Sequence, residues 1–371
     1  MDSPFIFNKY VTGSNFVARA SDLGTLVERI KKKEHLLIYE PPKSGKRSLV
    51  QQVFIKLRQD SYNFTLCTIN LFNVRTEAAL LKSIRTSLVN SFLSRPLTNF
   101  SSAPVNGNTE SQIRQLEEDL MLDQIREMSE YRDLVLNLPE ALSAKFNTNV
   151  VIYFQEFQEL LNFENPEDTI ALLDRVWRSH TQTTYLITGS FVNAMKEIFV
   201  NNKSFYRFAE RVKLAPIEEH LFSEFIIKNF LKAGRVVSKE LATRMYNLTK
   251  GHPWYTQQLA DIAYGHTKGF LTETILLEAF EELIDLHEYL FQQTTSRLSL
   301  YQLNFLKAIL DGVVKLSTHE VLAEYQFNSS ANVVRLKEAV QKKEILEQDG
   351  ESWIFLDPLF KIWLRRVYWG S

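Results

Sequence analysis

The sequence predicts an α/β domain built on a mostly parallel sheet with helices on both faces, then a small helical domain and a C-terminal winged helix. Three observations carry this reading. Short, near-continuous apolar runs alternate with segments of helical period over residues 1–217, as strands buried on both faces require. From Glu218 to about Leu290 only helical patterns occur. Between Arg297 and Ser371 three helical patterns are followed by a hairpin signature. The expected domains are therefore 1–217, 218–296 and 297–371.

Each element has its own local reason. "SDLGTLVERIKKKE" (21–34) offers Ser21 as an N-cap before apolar residues at helical spacing, and "HLLIYE" (35–40) is a short buried strand. The glycine-bearing loop "PPKSGK" leads into "RSLVQQVFIKLRQD" (47–60), which places Leu49, Val50, Val53, Phe54 and Leu57 on one helical face. A second strand, "FTLCTINL" (64–71), contains the single cysteine, Cys67, which can form neither an intrachain disulfide nor a thiolate cluster and reads as a buried strand residue.

A helix is expected from about Thr76 to Leu93, followed by a Ser-, Asn-, Pro- and Gly-rich flexible insertion at about 94–112. Helical spacing returns from Ile113 to about Phe146. "NVVIYFQEFQEL" (149–160) and "TTYLITGS" (183–190) are further buried strands ending in polar residues. Ligands of such sheets sit at the carboxyl ends of the strands, which here are Glu40 onward, Asn70 to Asn73, Gln155 to Glu156, and Thr188 to Ser190.

Further on, "KGHPWY" (250–255) reads as a loop entering a helix. "LSLYQLNFLKAILDG", "STHEVLAEYQF" and "SSANVVRLKEAVQKKEIL" supply the three helices of the winged helix, and "EQDGESWIFLDP" its hairpin, with Asp349-Gly350 at the turn. The aromatic tail "WIFLDPLFKIWLRRVYW" is expected to close that core as a strand and an amphipathic helix.

Composition excludes some partners. Forty-three Lys and Arg against 44 Asp and Glu leave a formal net charge of −1, so no global field draws the chain to nucleic acid or to an acidic membrane. The beginning "MDSPFIFNKYVTG" lacks the features of a secretory signal, and no run approaches the ~18 apolar residues of a membrane span, so a cytoplasmic protein without membrane contact is expected.

The segment "YEPPKSGKRS" (39–48) lies where strand, loop and helix follow one another as in a phosphate-binding loop. In the pattern G-x-x-x-x-G-K-[ST], backbone N–H groups cradle phosphates, the lysine reaches the outer ones and the hydroxyl holds Mg²⁺. Pro41, Pro42, Lys43, Ser44, Gly45, Lys46, Arg47 and Ser48 are the corresponding phosphate-binding candidates. Glu40, however, stands at the first glycine position and Arg47 at the hydroxyl position. Arginine has five donors and no acceptor, so it cannot ligate a cation.

Together with that loop, the phrases "INLFNVRTEAAL", "VVIYFQEFQELLNF", "YLITGSFVNAM", "SFYRFAERVKLAPI", "GHPWYTQQLA" and "SANVVRLKEAVQKKEILEQDG" resemble the archaeal-type P-loop ATPase family of archaea and bacteria. This family falls in the AAA+-related class of signal-transduction ATPases with numerous domains (STAND). The resemblance spans nearly the whole chain and is weakest near 94–130. It implies a P-loop NTPase sheet domain, a helical lid and a winged helix.

Against the family patterns "YGPPRRGKTSL" and "IDEFQEL", both Walker motifs are degenerate. Glu40 replaces Gly, Arg47 replaces the metal-binding Thr, and Gln155 replaces the Asp that supports Mg²⁺, whereas Glu156, which polarises the attacking water, is kept. The resemblance also assigns Ser190 as a polar sensor, Arg207 as an arginine finger or sensor, and His252 to the lid motif near the nucleotide. Plainer roles stand beside these: a helix cap for Ser190, a domain-interface salt bridge for Arg207 and packing for Trp254.

The function expected is that of a degenerate P-loop ATPase-like protein: a nucleotide-binding or formerly nucleotide-binding switch or scaffold, a pseudoenzyme with weak or lost hydrolysis. ATP or ADP is the expected cofactor, Mg²⁺ is doubtful, and no residue is assigned to a metal. Lys43, Lys46 and Arg47 could neutralise phosphate without metal, whereas Glu40 could repel phosphate or pair with Lys46 or Arg47 and close the loop. An active ATPase and a DNA-binding regulator remain alternatives. Asn332, Arg335, Lys337, Lys342 and Lys343 would read DNA, but Glu338, Glu344, Glu347, Asp349 and Glu351 surround them. Those acidic residues weaken phosphate attraction, so a partner protein is favoured over DNA, and a homo-oligomer is left open.

Overall fold

The structure, a computed structural model, describes residues 3–17, 19–94, 118 and 127–370. Most of the insertion expected at 94–112, and the first part of the helix expected from Ile113, lie outside the described residues.

In chain order the elements are α1 (Ala20–Lys31), β1 (Leu36–Tyr39), α2 (Lys46–Gln59), β2 (Phe64–Asn70) and α3 (Glu77–Leu93). They continue as α4 (Met128–Phe146), β3 (Asn149–Gln155), α5 (Pro166–Trp177), β4 (Thr183–Gly189), α6 (Val192–Lys196) and β5 (Glu210–Arg211). Four helices follow: α7 (Glu219–Lys232), α8 (Lys239–Leu248), α9 (Pro253–His266) and α10 (Glu273–Ser296). The last part holds α11 (Leu300–Leu310), α12 (His319–Glu324), α13 (Ser330–Lys342), β6 (Leu346–Asp349), β7 (Ser352–Phe355) and α14 (Pro358–Trp363).

Two compact units contain these elements. One comprises Ser21–Glu40 and Val53–Leu214, the other Met1–Ala20, Pro41–Gln52 and Ala215–Ser371.

The first unit carries a five-stranded sheet of order β2-β3-β4-β1-β5, parallel throughout. Every residue of β1 and β4 is buried, which requires cover on both faces and explains why the sequence shows near-continuous, uncharged runs there. Strand β5 is only Glu210 and Arg211, paired with Leu36 and Leu37, and is too short and too polar for a sequence pattern to reveal. Tyr39 is in register with Gly189, and Asn70 with Gln155, so the polar strand ends share the carboxyl edge of the sheet.

The core of this unit is aromatic. Trp177, 2% exposed, stacks on Tyr185 at 4.3 Å and on Phe154 at 5.2 Å. Cys67 is buried in β2 as expected, and burial pushes its thiol up to about 12. One correction concerns α1: it begins at Ala20, so Ser21 lies in the first turn and is not its cap.

Two histidines tie this core to pH. The His35 ring stacks on Phe208 at 4.4 Å, and His180 Nδ1 lies 2.7 Å from the Tyr185 hydroxyl. Burial lowers both; His35, also repelled by His180 and Arg178 and partly compensated by Glu140, falls to about 4. Below the ordinary value of 6.5 the unfolded chain takes up protons that these rings resist in the fold, so their contribution to stability is lost as pH falls from 6.5 toward 4. Denaturant midpoints of this unit are expected to drop between pH 7 and pH 5, with the His35 ring still neutral at pH 6 by NMR titration.

The second unit is built on helices α7 to α10 and the winged helix. Phe222, Leu259, Leu276 and Leu283 are fully enclosed in its core. The N-terminal arm joins it through Phe5, which packs on Phe225 and Phe230 at 6.2 and 5.7 Å. Helices α11 to α13 and the antiparallel pair β6-β7 form the winged helix, and α11 starts with a capping box of Ser299 and Gln302.

The hairpin turn is one residue later than expected. Asp349 pairs with Ser352, so Gly350 and Glu351 form the turn, and Gly350 supplies the positive φ of +62° that it needs. The aromatic tail covers more than the winged helix, because Phe360 and Trp363 pack on Phe291 of α10 at 5.4 and 5.7 Å. Among the described residues no helix is long and apolar enough to cross a membrane.

Candidate phosphate loop and strand-end carboxylate

The loop after β1 is shaped by two left-handed residues, Lys43 at φ +63° and Gly45 at φ +93°. A Cβ on Gly45 would have room, since its nearest neighbour would be Pro253 at 3.9 Å, so it is the backbone angle that calls for glycine. Helix α2 starts immediately after, at Lys46, and Leu49 N donates back to the Gly45 carbonyl at 3.1 Å. The first N–H groups of a helix have no acceptor within it and favour an anion at that end. Beside them the Ser44 hydroxyl is buried and has no hydrogen-bond partner among the described residues.

The cations of this segment are all engaged. Buried Lys46 donates from Nζ to the Pro41 carbonyl at 2.9 Å. The Lys43 ammonium lies 3.2 Å from the centroid of the Trp254 ring. The guanidinium of exposed Arg47 stands 4.9 Å over Tyr10 of the N-terminal arm.

That arm is also joined by its backbone: Val11 N donates to Ser48 Oγ at 3.1 Å and Gly13 N to Gln52 Oε1 at 3.0 Å. Buried Arg19 donates to the carbonyls of Ala215 at 2.7 Å and Ser44 at 3.4 Å.

His252 caps α9, with Nδ1 accepting from Tyr255 N at 3.4 Å. Burial, then the charge of Lys43, lowers it to about 3 despite an opposing hydrogen bond to the Pro42 backbone. It is therefore a neutral ring beside the loop and adds no positive charge.

The other unit presents the strand-end group. Glu156, just past β3, is held at φ +55°. Its Oε1 accepts from Ser190 Oγ at 2.9 Å and its Oε2 from Gln158 Nε2 at 2.8 Å. Gln158 is 3% exposed and its Oε1 in turn accepts from Ser190 N at 3.3 Å.

Gly189 makes this closure sterically possible, since a Cβ there would fall 2.4 Å from Met195 and 2.7 Å from Gln158 Oε1. Ser190 is no helix cap, because α6 begins at Val192 with Phe191 in the cap position. Gln155 is the last residue of β3 and is half-buried. Glu40 Oε1 accepts from Leu214 N at 3.1 Å and has the Arg211 guanidinium at 3.8 Å, while Arg211 also covers the Tyr39 ring at 3.8 Å. Arg207 is exposed, at φ +54°, with its guanidinium 5.2 Å from the Tyr206 ring.

Among solved structures, a Walker-type ATPase of Pyrococcus abyssi aligns over 98% of this chain and 99% of its own, with a TM-score of 0.69 at 16% identity. The chain has the fold of a Walker-type ATPase. The Aeropyrum pernix ORC2 protein, solved in ADPNP and ADP complexes, aligns over 95% of this chain and 93% of its own, with a TM-score of 0.58 at 13% identity. Residues 289–366 match the model of a probable winged helix domain, so this ATPase fold ends in the module that the three helices and hairpin predict. Comparison of the sequence with curated proteins gives no significant match.

Within this Walker-type fold, sequence reasoning missed Gln158, Arg211, Tyr10 and the seat of Lys43 on Trp254. Gln158 gave no signal, standing among polar neighbours in "QEFQELL" although the fold buries it. The others had none either, because each meets a partner distant in sequence.

Proposed function

We propose that the chain binds the phosphates of ATP or ADP at Lys43 to Ser48 and acts as a cytoplasmic regulatory switch or scaffold in signalling, with Mg²⁺-dependent hydrolysis weak or lost. The observation that carries the hydrolysis part is the donor set: Arg47 offers no acceptor and Gln155 no charge, so the residues present do not fit Mg²⁺. The phosphate part rests on the orphaned Ser44 hydroxyl at the N-terminus of α2, beside Lys46. The nucleotide complexes of the Aeropyrum pernix protein support it. Those loop residues would hold the phosphates, with His252 beside them. Residues 218–296 would serve as the lid, and Glu156 would orient water if any turnover remains.

A partner protein is the favoured target of the winged helix. Of the basic residues on its reader helix, Lys337 turns toward Trp353, at 5.8 Å from the ring, and Lys343 donates to the Arg297 carbonyl at 3.2 Å. Phosphate attraction is weakened accordingly.

A second reading, an interaction module with no nucleotide, is favoured by the engagement of Lys46 on Pro41 and Lys43 on Trp254. Calorimetric titration of ADP separates the two. We expect binding whose Kd differs by less than about tenfold between EDTA and Mg²⁺, the metal adding little where its ligands are missing. No binding in either condition supports the second reading. Metal-dependent turnover near the ~10 s⁻¹ typical of enzymes would refute the impaired-hydrolysis reading.

A further inference from the structure

The seat of Lys43 has no part in holding phosphate, yet it is built from several converging groups. Trp254 lies in the first turn of α9, packed edge-on against Phe7 at 6.2 Å and Tyr255 at 5.0 Å, with His287 of α10 at 5.0 Å. Its ring face receives the Lys43 ammonium. Behind Trp254, the Tyr255 hydroxyl donates to Asp357 Oδ2 at 2.8 Å. The other oxygen, Asp357 Oδ1, caps α14 by accepting from Leu359 N at 2.9 Å and Phe360 N at 3.1 Å.

Burial disfavours both charges, lowering Lys43 and raising Asp357, and each opposes the other's shift. Lys43 thus supplies positive charge to a half-buried carboxylate that organises the end of the winged helix. It does so from a left-handed backbone angle that a lysine adopts only when its surroundings hold it there.

The N–H bonds that face the Trp254 ring are not available to a phosphate, so ring and phosphate compete for part of the same ammonium. We propose that Trp254 and Asp357 form an intramolecular seat for Lys43 that competes with bound phosphate for its ammonium, so that nucleotide occupancy and the cap of α14 are coupled. This rests on the nucleotide-binding reading above. With phosphate in the loop, Lys43 leaves the seat, Asp357 loses its counter-charge and the first turn of α14 loosens. Reciprocity then requires that weakening the seat tightens nucleotide binding by the same factor as nucleotide weakens the seat. A merely structural cluster has the opposite signature, since damaging it would leave binding unchanged or impair it.

The test uses the full chain and ADP as the probe. Asp357→Asn keeps the shape and the capping oxygen but removes the charge, and Trp254→Leu removes the ring face. In variants that retain the wild-type circular dichroism spectrum, we expect ADP to bind roughly threefold to thirtyfold more tightly than to wild type, the range of a partly desolvated cation–π seat. In wild type, saturating ADP should speed hydrogen exchange at the Leu359 and Phe360 amides, and in Asp357→Asn this response should disappear. Equal or weaker ADP binding by Asp357→Asn, with wild type binding ADP normally, overturns the seat and leaves the nucleotide reading intact. No ADP binding by wild type or either variant overturns both.

Discussion

Combining Arg47→Thr with Gln155→Asp is expected to raise Mg²⁺-dependent ATP hydrolysis at least ~100-fold over the wild-type chain. Threonine returns an oxygen ligand in place of a side chain that can only donate, and aspartate returns the charge that supports the metal through its water. A metal ion contributes several kcal/mol to phosphoryl transfer, and each ~1.4 kcal/mol is a factor of ten in rate. Glu156, the expected water-orienting group, is already fixed by Ser190 and Gln158. Each single change is expected to give far less than the pair, since half a ligand set leaves the metal weakly held.

The loss on the other side is small. Arg47 surrenders an exposed contact with Tyr10, worth about 0.5–1 kcal/mol at such a site. Phosphate release assayed in Mg²⁺ and in EDTA decides the matter, and a double variant no faster than wild type would show that the paired replacement is not what limits turnover.

Trp177→Ala is expected to cost the sheet unit about 3–5 kcal/mol, a large part of the stability of any domain. Its ring is 2% exposed and lies against Phe154, Phe157, Tyr185, Phe205 and Phe208, so truncation opens a cavity that several other rings line. The chain has two compact units, so a single two-state fit is not assumed. Exchange of the Tyr153 and Tyr185 amides should accelerate strongly while that of Leu259, in the other unit, stays near wild type. A loss below ~1 kcal/mol would mean that the surrounding rings collapse into the space.

The sheet was legible because its central strands are buried on both faces, which writes "LLIY", "VVIYF" and "TTYLITG" into the chain as near-continuous runs without charge. Gly45, Lys46 and the helix behind them were legible because a phosphate loop needs a positive φ and a free helix end at fixed spacing. The same local logic failed where partners come from afar. Nothing near Glu156 announces that Ser190 donates to it, and nothing near Lys43 announces Trp254. Trp254 was expected to be a packing residue; it does pack, on Phe7 and Tyr255, but one face is kept for a cation. Strand β5 escaped notice because two residues cannot express a period.

Glu156 has one more implication. An L-residue at φ +55° occupies a backbone region that glycine enters freely and that a non-glycine residue enters at a cost, of order 1 kcal/mol. The fold alone would therefore be better served by glycine after β3. A carboxylate stands there instead, with a hydroxyl on one oxygen and an amide on the other, so this turn is optimised for what it presents at the sheet edge and not for its own ease of folding.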